Sequence, residues 1–121
     1  MSPGSDAQLP FDDPSVRLAT YGTLAPGRVN YPQVAGLDGR WTKGIVRGRL
    51  VEVGWGAALG YPGVVLDPTA DTVEVHLLHS PDLPRHWPRL DAFEGSGYRR
   101  VAVWVETGDT RQRAFIYEII V

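Results

Sequence analysis

The 121-residue sequence contains no cysteine, only one lysine (Lys43), and a formal net charge of just −2. Without cysteine there is no disulfide framework, no thiolate nucleophile and no thiolate metal site, so stability has to come from the core itself. A reducing, cytoplasmic location fits that composition. The slightly negative charge offers no broad positive field for a phosphate backbone, so nucleic acid is not an expected partner. No stretch approaches the roughly 18 consecutive apolar residues that a spanning helix needs, so no membrane segment is expected.

What is present is the balance of an ordinary globular domain, with 43% hydrophobic and 21% charged residues over the length of one modal domain. The first stretch, 1–15, is rich in Pro, Ser, Gly and Asp and has neither a basic start nor an apolar run. It reads as a flexible tail rather than a secretory leader, ahead of one folded unit over 16–121.

Val16 to Tyr21 is a short strand-like run that stops at Gly22-Thr23-Leu24-Ala25-Pro26-Gly27, and a loop with one helical turn around Gln33 to Gly36 follows. Trp41 to Val53 alternates, with Val46, Gly48 and Leu50 on one face, and Gly48 marks a close backbone approach or a bulge. A second glycine-rich excursion, 54–63, precedes a short buried strand at Val64 to Leu66. Thr72 to His79 alternates again with Val73, Val75 and Leu77 inward. Ser80-Pro81-Asp82 signals a helix start, and Leu83, Trp87, Leu90 and Glu94 recur at helical spacing up to the stop at Gly95. Pro84 and Pro88 predict that the regular part begins only near Trp87. Tyr98 to Thr107 and Arg111 to Val121 form a hairpin about Gly108-Asp109-Thr110. The fold class expected is therefore α+β: a small, partly closed, mostly antiparallel β-barrel with one main helix.

Glu94 is the most informative position. At 100° per residue it lies roughly 20° from Trp87 and 40° from Leu90 around the helix, so its carboxylate leaves from the face that packs on the sheet. Desolvation and the negative end of the helix both raise its pKa, which suits a general acid/base. The competing reading is a structural Glu that bonds Tyr98 or Arg99 and closes the helix. Tyr21-Gly22-Thr23-Leu24 is open in the same way: an exit loop whose amides point at a ligand, or a plain strand end.

Tyr21-Gly22-Thr23-Leu24 after the first strand, Asn30 beyond it, Tyr61-Pro62-Gly63 midway, Leu90-Asp91-Ala92-Phe93-Glu94-Gly95 followed by Tyr98-Arg99-Arg100, and Tyr117 in an aromatic-rich last strand together resemble the γ-glutamylcyclotransferase-like superfamily. The resemblance spans Arg17 to Ile120. It implies that Glu94 is the catalytic acid/base and that Tyr21, Gly22, Thr23 and Leu24 form the loop whose amides hold a glutamyl moiety. Asn30, Tyr98 and Tyr117 fall among the implied substrate-binding residues. The implied reaction converts a γ-glutamyl amide into 5-oxoproline and a free amine, a small-molecule substrate handled without metal or cofactor. Two departures stand out: a longer N-terminal tail, and an Arg28–Gly36 stretch without the Asn-His pair of many relatives. A non-catalytic binding module on the same fold, or a tailoring cyclotransferase with a larger leaving group, are the other readings.

Other constellations are poorer. His76 and His79 point to opposite faces of a strand, with no carboxylate or Cys to complete a zinc set. Ser96 lacks the strand-to-helix context of a nucleophile elbow. Trp41, Trp55, Trp87 and Trp104 read as core or pocket wall.

Overall fold

A computed structural model describes residues 13–22, 24–28, 30–51 and 63–120. Of the expected 1–15 tail, residues 1–12 lie outside the described residues, as do Thr23 and the excursion with Trp55, Tyr61 and Pro62. After a 3-10 turn at Pro14–Val16 come β1 (Arg17–Thr20), α1 (Pro32–Ala35), β2 (Arg40–Val51), β3 (Gly63–Leu66), β4 (Thr72–His79), α2 (Leu83–Glu94), β5 (Tyr98–Thr107) and β6 (Thr110–Ile119).

The strands form a closed, mixed barrel. β1 pairs antiparallel with β4, β4 with β2, and β5 with β6 through the Gly108-Asp109 turn. The ring closes where Ile45 of β2 meets Glu106 of β5, and where β1 runs parallel to β6, Leu18 opposite Phe115. β3 pairs antiparallel with the end of β2 and parallel with β6 at Glu118. The barrel expected from sequence is present, with parallel contacts to β6 because the first and last strands have no short turn between them.

Neighbouring side chains of three strands are buried on opposite faces, which explains where the core divides. Ala19, Leu77 and Ile116 fill the barrel interior with Val46, Val64, Val73, Val75, Val105 and Ala114. Leu18, Leu78 and Tyr117 point outward and are covered by Leu24, Val34 and the apolar face of α2, namely Leu83, Trp87 and Leu90. The row shared by Val46, Gly48 and Leu50 on β2 is buried at Val46 and Gly48 and 52% exposed at Leu50.

α2 begins at Leu83, a turn earlier than its two prolines predict. Pro84 sits in the first turn, where its missing N–H has no helical acceptor, and Pro88 gives up one bond, a cost of about 3 kcal/mol. Full burial of Leu83, Trp87 and Leu90, at about 1.5–3 kcal/mol each, outweighs it. Gly95, with φ +86°, ends the helix, and its N–H bonds Asp91 O at 3.0 Å.

Gly44 is required by closure. A Cβ there would lie 2.5 Å from Val105 Cγ1 and 2.9 Å from Glu106 O, at the one register point joining β2 to β5. Gly44→Ala is expected to destabilise the protein by about 1–3 kcal/mol. By calorimetry that corresponds to a loss of roughly 5–15 °C in Tm. An unchanged Tm would show that the barrel closes elsewhere.

Candidate functional site

The site lies where the C-terminal end of α2 meets the ends of β1, β5 and β6. Glu94 occupies the last helical residue, half-buried, and burial pushes its carboxyl from the ordinary 4.5 up to about 7. Among the described residues, no side chain or amide donates a hydrogen bond to it. Its charge reaches three tyrosines, Tyr21, Tyr98 and Tyr117, whose hydroxyls are all pushed upward, first by burial and then by neighbouring negative charge.

The cations that the sequence places nearest are committed elsewhere. Arg99 binds Glu118 Oε1 at 3.1 Å, while the other oxygen of that buried carboxylate accepts Leu66 N–H at 2.8 Å. Arg100 makes a two-pronged pair with Asp91, Nε to Oδ1 at 2.8 Å and Nη2 to Oδ2 at 3.1 Å. The structural reading in which Glu94 closes the helix by bonding Tyr98 or Arg99 has no counterpart in these contacts. A desolvated carboxylate without a compensating cation is what keeps the proton affinity high.

Tyr21 projects from the end of β1. Its hydroxyl donates to Tyr117 O at 2.8 Å and accepts Val64 N–H at 3.1 Å, tying β1 to β6 and β3. Tyr117 donates its own hydroxyl to Asp91 Oδ1 at 2.7 Å. Among the described residues nothing lies within 4 Å of where a Cβ on Gly22 would sit, and its N–H bonds Thr20 Oγ1 at 3.3 Å. Leu24 is buried, 3% exposed, and its side chain belongs to the core beneath α2, so only its backbone is available to a ligand. Asn30 lies in the turn entering α1, where its carbonyl accepts Gln33 N–H. The structure thus brings Glu94, Tyr21, Tyr98 and Tyr117 together, places Leu24 in the core and Asn30 in a turn, and leaves Thr23 outside the described residues.

Asp91 and Arg100 carry no role in the sequence analysis. Their signal is nonetheless there: opposite charges nine residues apart, flanking a Gly95-Ser96-Gly97 turn that folds the strand back along the helix. Among the described residues no cluster of three metal-ligating side chains occurs, and no helix is long and apolar enough to cross a membrane.

A closed mixed barrel carrying one main helix is the fold this chain shares with several solved proteins. YkqA from Bacillus subtilis superposes with a TM-score of 0.67 at 25% identity, over 86% of this chain and 35% of that one. An AIG2-like protein from Mus musculus gives 0.66 at 21% identity over 85% of this chain and 76% of its own. PH0828 from Pyrococcus horikoshii gives 0.60 at 22% identity, over 87% and 78%. The chain spans about a third of YkqA, and the other two likenesses concern the fold alone. Residues 18–120 match the family described as Gamma-glutamyl cyclotransferase, AIG2-like, and the chain belongs to that family. Among curated proteins, no sequence matches this one.

Proposed function

We propose that the protein is a cofactor-independent cyclotransferase that converts a γ-glutamyl amide into 5-oxoproline and a free amine, with Glu94 as the acid/base. One observation carries the reading: the Glu94 carboxylate is half-buried, has no hydrogen-bond or ion-pair partner among the described residues, and lies within reach of three tyrosines, with the adjacent arginines bound to other acids.

The chemistry asks for such a group. The nucleophilic nitrogen enters as an α-ammonium and ends as a lactam N–H, so it sheds two protons as it bonds the side-chain carbonyl carbon. The leaving nitrogen begins as an amide N–H and departs as an ammonium, gaining two as its bond to that carbon breaks. A carboxylate with a pKa near neutrality accepts and returns protons with little driving force lost either way, a contribution of about 10²–10⁴-fold. Because nucleophile and electrophile share one molecule, the remaining task is to hold the chain in its ring-closing conformer. That role falls to the loop leaving β1. Its backbone amides, Leu24 N–H among them, are assigned to the α-carboxylate or the developing oxyanion. Tyr98, half-buried beside Glu94, supplies a wall for the glutamyl chain.

Incubation with a panel of γ-glutamyl amides is expected to yield 5-oxoproline, with the panel ranking the leaving amines. Since Glu94 must be ionised to take the first proton, kcat/KM should fall about tenfold per pH unit below about 7. An acid limb near 4.5, the ordinary carboxylate value, would place the base in a solvated group instead.

A further inference from the structure

The last turn of α2 holds two carboxylates with opposite fates. Glu94 has no partner among the described residues, whereas Asp91, 43% exposed at its side chain, is engaged at both oxygens by Arg100 and at Oδ1 also by Tyr117. The Arg100 guanidinium itself packs against two mutually perpendicular rings, 4.7 Å from the ring centre of Trp87 and 4.6 Å from that of Phe115. A planar, two-pronged, ring-stacked pair fixes orientation as well as distance. From Tyr117 the path continues: its carbonyl accepts the Tyr21 hydroxyl, and Tyr21 adjoins Gly22. One hydrogen-bonded chain therefore runs from the turn that ends in Glu94 to the loop that leaves β1.

We propose that Asp91, Arg100 and Tyr117 are positioning residues that fix both the placement and the charge environment of the Glu94 carboxylate relative to the β1 loop. The effect on rate rests on the cyclotransferase reading; the effect on how Glu94 titrates does not. Asp91 stands one turn before Glu94 on its own helix, the hydroxyls of Tyr21, Tyr98 and Tyr117 feel the Glu94 charge, and the adjoining strands β5 and β6 also carry Arg99, Arg100 and Glu118. Of these, the two cations are each neutralised by a dedicated acid. Removing the charge of Asp91 deletes a nearby anion and leaves Arg100 uncompensated one turn from Glu94. Both changes favour the ionised form of Glu94, so its midpoint must fall.

The test is a carbon-13 NMR titration of the Glu94 side chain, assigned by its loss in Glu94→Gln, alongside 5-oxoproline release. In Asp91→Asn, close in shape to the native residue, the Glu94 midpoint is expected to drop by a few tenths of a pH unit or more, roughly what a charge one helical turn away contributes through solvent. In the double variant Asp91→Asn/Arg100→Leu it should return toward the wild-type value. With the clamp broken, kcat should fall about 10–100-fold in both, since displacement by ~1 Å can cost 10²-fold. Tyr117→Phe keeps both charges and is expected to reduce kcat without moving the midpoint. A wild-type protein that releases no 5-oxoproline, with the midpoint drop and its reversal still seen in the two variants, would defeat the cyclotransferase reading and leave the positioning role standing. A midpoint unmoved in Asp91→Asn, with only Tm lowered, would overturn the proposal.

Discussion

Replacing Glu94 by Gln is expected to slow 5-oxoproline release by about 10²–10⁴-fold, the range that positioned proton transfer contributes. KM should change little, because the amide has the volume of the carboxyl and the β1 loop is untouched. The same substitution is expected to make the protein more stable at pH 8. Burial holds the folded-state carboxyl near 7, above the ordinary 4.5, so the folded form keeps a proton that the unfolded chain releases. Stability from that proton is fully present below about pH 4.5 and is lost as pH rises through about 7. Gln, which has no proton to lose, escapes this decline. The gain over wild type should be absent near pH 4 and reach at most about 3 kcal/mol at pH 8, reduced by whatever water reaches the carboxylate. Urea titrations at the two pH values read it directly. An inactive variant that is no more stable at pH 8 than wild type would mean that Glu94 is not desolvated. An active one would move the acid/base to another residue.

The opposition between rate and stability also explains what the sequence could reveal. Period-2 alternation marked Thr72–His79 to the residue, and the Leu83-Trp87-Leu90-Glu94 spacing marked both the helix and the odd carboxylate on its apolar face, because local periodicity reports which face is buried. The adjacent pair Leu77-Leu78 broke the alternation, and the structure gives the reason: one side chain fills the barrel and the next lies under α2. Long-range pairing left no such local trace. The parallel contact of β1 with β6 depends on how the whole ring closes, and the alternation of β2 groups Leu50 with Val46 and Gly48 without showing that Leu50 ends up exposed. The Asp91–Arg100–Tyr117 cluster was hidden for a related reason. Each member is unremarkable alone, and only the Gly95 reversal brings helix and strand together.

Trp87 is where packing and chemistry depend on the same side chain, and Trp87→Ala is expected to lower stability by about 3–5 kcal/mol. The ring is 4% exposed, meets Phe115 edge-on at 5.3 Å, donates Nε1–H to Ser15 O at 2.8 Å, and supports one face of Arg100. Against a typical stability of about 5–15 kcal/mol, such a loss takes much of the margin. In urea it should appear as a fall of about 2 M in the midpoint followed by far-UV circular dichroism. Trp87→Phe keeps an apolar ring against Phe115 and a face for Arg100 but gives up the bond to Ser15, so it should cost far less, about 1 kcal/mol for the lost bond plus the smaller ring's packing. The two variants then separate two demands on α2. If the helix only needs an apolar anchor, turnover measured without denaturant should track the remaining folded fraction in both. If Arg100 needs the ring to hold Asp91, Trp87→Ala should lose a further 10-fold or so in kcat while still folded, and Trp87→Phe should keep most of it. Equal kcat per folded molecule in the two variants would confine Trp87 to packing and detach the helix anchor from the placement of Glu94.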